Sequence, residues 1–266
     1  MLAFASNSLL CRIALRETAI DAASFTSIRL VSGALILAAI LLLHGVRLAA
    51  GGSWPMAAML FAYAAFFSFA YRDLTAATGA LLLFGSVQLG MLGFGLATGE
   101  RLGGIKRTGF ALALGGLVYL LLPGLAAPPL LAATLMIAAG GAWAVYSILG
   151  KKSGDPTAAT GGNFLRAVPF AIALSLAAAM GGTTVDGTGV LYAVLSGAVT
   201  SGLGYVLWYA VLPALQATTA ATVQLSVPAI AALGGALLLA EPITERVILA
   251  SVAILGGIAV VILKKA

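Results

Sequence analysis

Asn7, Gln88 and Gln224 are amide side chains inside long apolar stretches of this sequence. An amide carries both donors and acceptors. In an apolar solvent it must bond to a neighbouring helix or face a wet pathway, and both readings are open for Asn7 and Gln88. Gln224 belongs with Pro228, because proline lacks the N–H that would bond the carbonyl four residues back, which is that of Gln224. The freed carbonyl and the amide form a polar patch on a bent helix, suited to substrate contact or to a kink satisfied by a neighbour. Aromatic residues extend the set. Tyr205, Trp208 and Tyr209 share a helix face by their spacing, as do Trp143 and Ser147 with Tyr146 beside them, and Tyr63, Phe67 and Tyr71 form a stripe. Trp143, Tyr146 and Tyr205 lie deep enough to touch a substrate, whereas Tyr71 and Tyr209 read as interface-belt residues near helix ends.

Four charged residues are gate or ion-pair candidates. Arg29 and Arg166 sit about 10 Å inside their helix ends at about 1.5 Å per residue. Snorkelling to the headgroups is the favoured reading for both, with a gating or anion-attracting role as the alternative. Glu100 and Glu241 end their helices, where a carboxylate opposes the helix dipole. Each therefore calls for a partner: Arg101 or Lys106 for the first, Arg246 for the second.

The elements that must position these residues follow from composition. Of the 266 residues 62% are hydrophobic and only 8% charged, with a mean hydropathy of +1.12. A soluble chain carries about 25% charged residues, so a soluble enzyme, a disordered chain and a nucleic-acid binder are excluded. The net charge of +6 falls as scattered bases between apolar runs, not as a basic face. One cysteine and one histidine, Cys11 and His44, cannot supply a zinc site of the usual kind, and no metal or cofactor is expected. GxSxG, HExxH and Walker motifs are absent, which argues against an enzyme or a primary pump. The N-terminal stretch has no basic n-region and reads as a membrane segment, not a signal peptide.

Polar punctuation divides the chain into ten apolar spans, 2–16, 22–43, 53–71, 74–98, 104–122, 130–150, 158–180, 187–210, 214–240 and 244–263. They do not alternate with period two, so a barrel is excluded and the expected class is an all-α integral membrane protein. Arg47, Arg101, Lys106, Arg107, Lys151, Lys152, Lys264 and Lys265 fall on one side, against Arg12, Arg16, Arg72 and Arg246 on the other. That bias puts both termini in the cytoplasm.

The halves align. The offset of 141 residues that places Glu100 on Glu241 also places Gly115-Gly116 on Gly256-Gly257, and an offset of 137 places Arg29 on Arg166. Five spans in each half give a 5+5 inverted-topology repeat, residues 1–122 and 130–266, the plan of many secondary transporters. Small residues at Gly95/Gly99 and Gly197/Ser201, and the two glycine pairs, are expected to let helices approach closely.

Four stretches carry a family resemblance: Tyr205-Val-Leu-Trp-Tyr-Ala-Val-Leu, Ala220-Ala-Thr-Val-Gln-Leu-Ser-Val-Pro228, Leu237-Leu-Leu-Ala-Glu-Pro242 and Ile254-Leu-Gly-Gly257. In these the chain resembles the ten-span EamA-type transporters of the drug/metabolite transporter superfamily. Val87-Gln88 stand where the family's first half commonly carries proline. The resemblance implies export of a small metabolite, an amino acid or related solute, across a bacterial plasma membrane by a monomer or weak homodimer. A lipid flippase or a channel is the alternative. No acidic residue falls at mid-span, so the expectation is uncoupled movement or exchange along a pathway of neutral groups.

Overall fold

In a computed structural model the described residues are 1–48, 51–99, 103–124, 127–150, 154–211, 214 and 223–263. Glu100, Arg101, Lys151, Lys152, Lys264, Lys265 and the Ala220–Thr222 part of the third family stretch lie outside them, as does the side chain of Tyr209. The described elements are helices: α1 (Leu2–Glu17), α2 (Ala22–Leu43), α3 (Trp54–Tyr71), α4 (Ala76–Ala97), α5 (Gly104–Leu121), α6 (Leu130–Gly150) and α7 (Pro156–Ala179). Then come α8 (Gly187–Val194, a π-helical stretch Leu195–Leu203, and Gly204–Val211), α9 (Ser226–Leu239) and α10 (Glu245–Leu263). Eight of the described helices are long and apolar enough to cross a membrane, while α1 and α9 are shorter.

Local chemistry explains where these helices start. Asp21, Ser53, Thr75, Asp155 and Asp186 cap α2, α3, α4, α7 and α8, each accepting from a backbone N–H of the first turn. Pro55 and Pro156 sit in first turns, where the missing N–H is not needed. The expected boundaries agree to within two residues everywhere but the ninth span. There Val223 and Gln224 are helical, Leu225 interrupts, and α9 begins at Ser226. Leu225 itself keeps right-handed helical dihedrals, φ −64° and ψ −16°, so the chain stays helical here and the interruption falls where Pro228 has no N–H to bond the Gln224 carbonyl.

In the bundle α5 lies on α10, α2 on α7, and α4 on α6. α3 packs on α6 and α7, α8 on α1 and α2, and α9 on α1 and α4. Small residues set the closest approaches. A Cβ at Gly257 would collide with the Gly109 carbonyl, and Gly116 meets Ala253 and Ile254. Their neighbours Gly115 and Gly256 face open space, so one glycine of each pair, not both, makes the α5–α10 contact. Gly99 likewise meets nothing among the described residues and adopts φ +97° after α4, the left-handed geometry that suits a helix end. Large apolar side chains including Leu35, Leu43, Leu112, Leu131, Leu176, Leu237 and Val252 point outward. An apolar exterior of this extent fits lipid, not water.

Tyr71 departs from the belt expectation. It is fully buried, edge-on to Phe67, with Gly79 of α4 against its ring. It closes the α3–α4 corner from inside the bundle, because the tight turn at Arg72–Leu74 folds α4 back over it.

Candidate functional site

Several of the polar side chains buried in the bundle meet from α1, α2, α3 and α8. Asn7 of α1 donates through Nδ2 to the Tyr63 hydroxyl of α3 at 3.3 Å. Its Oδ1 accepts from Ser196 Oγ at 2.6 Å and Thr200 Oγ1 at 3.3 Å, both on α8. Ser196 and Thr200 lie in the π-helical stretch, four residues apart, so both present hydroxyls toward α1. π-helical geometry is uncommon and recurs at functional sites. Gly197 in the same turn lies directly against the Arg29 carbonyl of α2, an approach any Cβ would block.

Arg29 completes this cluster and overturns the snorkelling expectation. It is 2% exposed. Its Nη2 donates to the Tyr63 hydroxyl at 3.3 Å and its Nε to Ser201 Oγ at 3.4 Å. Its guanidinium carbon stands 5.2 Å from the Tyr63 ring centroid and 5.0 Å from that of Phe67. The side chain cannot reach the headgroups because α2 turns this face toward α3 and α8. Beside the neutral amides, hydroxyls and rings expected from the sequence, the cluster therefore holds a buried guanidinium. An arginine at the centre of a membrane helix costs about 2.5–3.5 kcal/mol or more, and each cation–π contact returns about 0.5–2 kcal/mol. No ion pair among the described residues includes Arg29, and its Nη1 has no hydrogen-bond partner there.

An aromatic wall adjoins the guanidinium. The Tyr63 ring lies 4.8 Å from Trp143 of α6, which stacks on Tyr146 at 5.2 Å and meets Tyr205 of α8 at 5.3 Å. Tyr205 also touches Phe164 of α7 and Phe4 of α1. Asn163 of α7 donates to the Tyr146 hydroxyl at 3.2 Å and accepts from the backbone N–H of Ser53 at 2.9 Å. Asn7, Trp143, Tyr146 and Tyr205 are thus brought together around Tyr63. Gln88 is buried in α4 but makes none of these bonds. Gln224 is half-buried ahead of the interruption at Leu225, with Pro228 buried just beyond it; neither joins the cluster.

The remaining charged candidates lie toward the helix ends. Glu241 is 5% exposed, and its Oε1 accepts from Arg12 Nε at 2.7 Å, with Arg16 Nη1 at 3.7 Å. Its Oε2 accepts from the backbone N–H of Ala76 at 2.7 Å, the first turn of α4, where a negative charge is favoured. The pairing with Arg246 is corrected. That side chain reaches the Leu122 carbonyl and the Tyr119 ring instead, because α10 carries it toward the end of α5. Arg12 Nη1 also donates to the carbonyls of Tyr71 and Arg72, so this one ion pair ties α1, the α3–α4 turn, α4 and the end of α9. Arg166 points to backbone here: its Nη1 donates to the carbonyls of Gly51 at 2.6 Å and Gly162 at 3.0 Å. Lys106 is in no ion pair among the described residues, while Glu100 and Arg101 fall outside them.

Sequence reasoning missed Asn163, Ser196, Thr200 and Ser201. Asn163 had the same signal as Asn7, an amide within an apolar run. The hydroxyls at 196, 200 and 201 have helical spacing, but only the packing of α8 on α1 and α2 shows where they point.

Comparison with known proteins agrees with this architecture. The profile of the EamA-like transporter family matches residues 130–263. An uncharacterized protein of Pseudomonas aeruginosa, PA1977, is 59% identical over 263 residues, covering 98% of this chain and 91% of that one. A solved structure described as "Crystal structure of protein" shares the fold at a TM-score of 0.65 and 19% identity, covering 98% of this chain and 96% of that chain. With a membrane-type helical bundle and this family match, the chain belongs to the EamA-like transporters of the drug/metabolite transporter superfamily, and is an integral membrane protein.

Proposed function

We propose that the protein is a secondary transporter that exports a small metabolite, an amino acid or related solute, by alternating access between two inverted five-helix halves, residues 1–122 and 130–266. The observation that carries the reading is the buried cluster in which Asn7, Arg29 and Tyr63 of one half meet Ser196, Thr200 and Ser201 of the other. A membrane protein that only needed to be stable would not bury a cation and so many hydroxyls at its centre. The helix pairings support two related halves. The contacts of α3 with α6 and α7 have counterparts in those of α8 with α1 and α2, and the contact of α4 with α6 in that of α9 with α1. The interruption of helical bonding at Leu225, ahead of Pro228, adds a discontinuity of the kind that transporters place along their pathways.

The clasp of Arg12 on Glu241 joins the halves at one end of the bundle. With both termini cytoplasmic this end faces outward, and opening it releases cargo. The buried carboxylate among the described residues is Glu241, held in that clasp. The central cluster therefore has no proton-carrying acid, and movement is by exchange or facilitated flow. Export is the direction that the family resemblance carries, and the working unit is a monomer or weak homodimer in a bacterial inner membrane. The test is counterflow in proteoliposomes with a panel of labelled amino acids and small organic acids. Saturable uptake driven by unlabelled solute inside is the expected result. Ionic current without saturation, or movement of labelled lipid alone, overturns it.

A further inference from the structure

Arg29 holds the buried charge that nothing in the described structure neutralises. Its two hydrogen bonds, at 3.3 and 3.4 Å, go to neutral hydroxyls, and both are longer than the about 2.7–2.9 Å of a guanidinium bound to a carboxylate. Its Nη1 donates to nothing there. The other buried charge, Glu241, is already held by Arg12 and the Ala76 N–H. A guanidinium is a planar fork suited to bidentate capture of a carboxylate. Here it ends against Tyr63, which continues through Trp143 to Tyr146 and Tyr205.

We propose that Arg29 is the recognition group for the carboxylate of the transported solute, an organic acid whose apolar body lies along Trp143 and its neighbours. This rests on the transport reading above and narrows it to a substrate class. One buried positive charge calls for one negative charge. A dianionic phosphate would replace a lone buried cation with a lone buried anion, whereas a carboxylate leaves the site neutral. In the present conformation the groups close upon one another, and Nη1 becomes reachable as α8 moves off α2 at Gly197 and Ser201. Tyr63 and Ser201 then trade their long bonds to Arg29 for a role in bracing the fork.

Matched pairs of carboxylic acid and neutral primary amide test this, with benzoate and benzamide, hexanoate and hexanamide, and N-acetyl-L-leucine and its amide as probes. Thermal stabilisation of the purified full-length protein and counterflow in proteoliposomes are both read. The wild type is expected to prefer acid over amide by at least about tenfold. Arg29→Lys should retain a weakened preference, and Arg29→Gln should lose it while still binding the amides weakly. Equal handling of acid and amide by the wild type overturns the proposal, and this reading needs no variant to fold. An acid preference that survives in Arg29→Gln overturns it as well. Saturable counterflow of uncharged or cationic solutes with exclusion of the acids leaves the transport reading standing and removes this one. Absence of counterflow for every solute removes both.

Discussion

Arg29 and Arg166 occupy places on α2 and α7 related by an offset of 137 residues, and their guanidinium groups meet opposite surroundings. Arg166 braces the α2–α3 connection: Gly51 and Gly162 offer it carbonyls, and it remains half-exposed. Arg29 is buried among rings and neutral hydroxyls, with part of its fork unused. The first arrangement gains stability, because the Gly51 carbonyl, which lies outside any helix, receives a donor, and the Gly162 carbonyl inside α7 accepts a second bond beside its helical one. The second loses it, because a desolvated cation without a counter-charge is among the most costly groups a bundle can hold. A residue that weakens the fold where it sits is one that function retains, and on that contrast rests the proposal that Arg29 binds where Arg166 braces.

The largest effect expected from breaking the comparison is at Arg29. Arg29→Met, of similar length but without charge, should lower counterflow of any accepted solute by at least about a hundredfold, or about 2.8 kcal/mol at about 1.4 kcal/mol per decade. It should raise or leave unchanged the melting temperature in detergent, since a buried charge replaced by an apolar side chain is commonly neutral or stabilising. A marked fall in melting temperature would show that Arg29 is a structural brace like Arg166, and the contrast would collapse.

Next in size is the clasp at Glu241, which sets a paired buried charge beside the unpaired one. Removing one partner of a buried pair costs about 3–5 kcal/mol, so Glu241→Ala should lower the melting temperature clearly. Glu241→Gln should cost less, because its amide oxygen can still accept from Ala76. Exchanging the charges, Arg12→Glu with Glu241→Arg, should fail to rescue. The Ala76 N–H would then face a guanidinium, and the carbonyls of Tyr71 and Arg72 would lose their donor. Full rescue by the exchange would mean that the pair acts by charge alone. Smaller again is Arg166→Ala, expected to cost about 1–3 kcal/mol for the Gly51 carbonyl left without its donor. Activity per folded molecule should stay near wild type; a collapse of counterflow at normal stability would make Arg166 part of the pathway.

These contrasts also mark how far the sequence could be read. Helix boundaries were legible because they are local: Ser53, Thr75, Asp155 and Asp186 cap helices by chemistry a few residues long. The ninth span was legible in part: Pro228 marks the place where helical bonding is interrupted at Leu225, while residues 215–222 of that span lie outside the described ones. Of the site, Asn7, Trp143, Tyr146 and Tyr205 were recognisable as polar or amphipathic groups deep in apolar runs. The burial of Arg29 was not. A helix carrying an arginine one or two turns from its end can present it to lipid headgroups or to the bundle, and the hydropathy of α2 is the same in either case. Only the contact of α2 with α3 and α8 decides it. Glu241 was mispaired for the same reason: its partner, Arg12, lies 229 residues away along the chain.

The smallest expected effect concerns the joint between the α1–α2 turn and the α7–α8 loop, where charges meet backbone instead of one another. Asp21 caps α2 through Ser24 and accepts from Thr184 N at 2.9 Å, while its own N–H donates to the Thr184 carbonyl at 2.9 Å. Asp186 caps α8 through Gly189 and accepts from Ala19 N at 2.7 Å. Burial works to raise the Asp21 carboxyl, but the bonds from Ser24 and Thr184 outweigh it and hold it below its ordinary 3.8. The N–H of Gly189, foremost, and that of Ala19 hold Asp186 below the same value. A carboxyl whose pKa is lower in the folded protein than in the unfolded chain binds fewer protons when folded. Its contribution is therefore complete above the ordinary value and is lost as the pH falls through the folded one. The melting temperature of the wild type relative to Asp21→Asn/Asp186→Asn should thus be constant from about pH 7 to about pH 5 and shrink below about pH 4. Asparagine keeps a capping oxygen, so the two proteins should converge in acid without the helices losing their starts. If the difference stays constant down to about pH 3, the carboxylate charge contributes nothing at this joint beyond a neutral acceptor. The α7–α8 loop would then be held to the α1–α2 turn by geometry alone, as Arg166 holds Gly51.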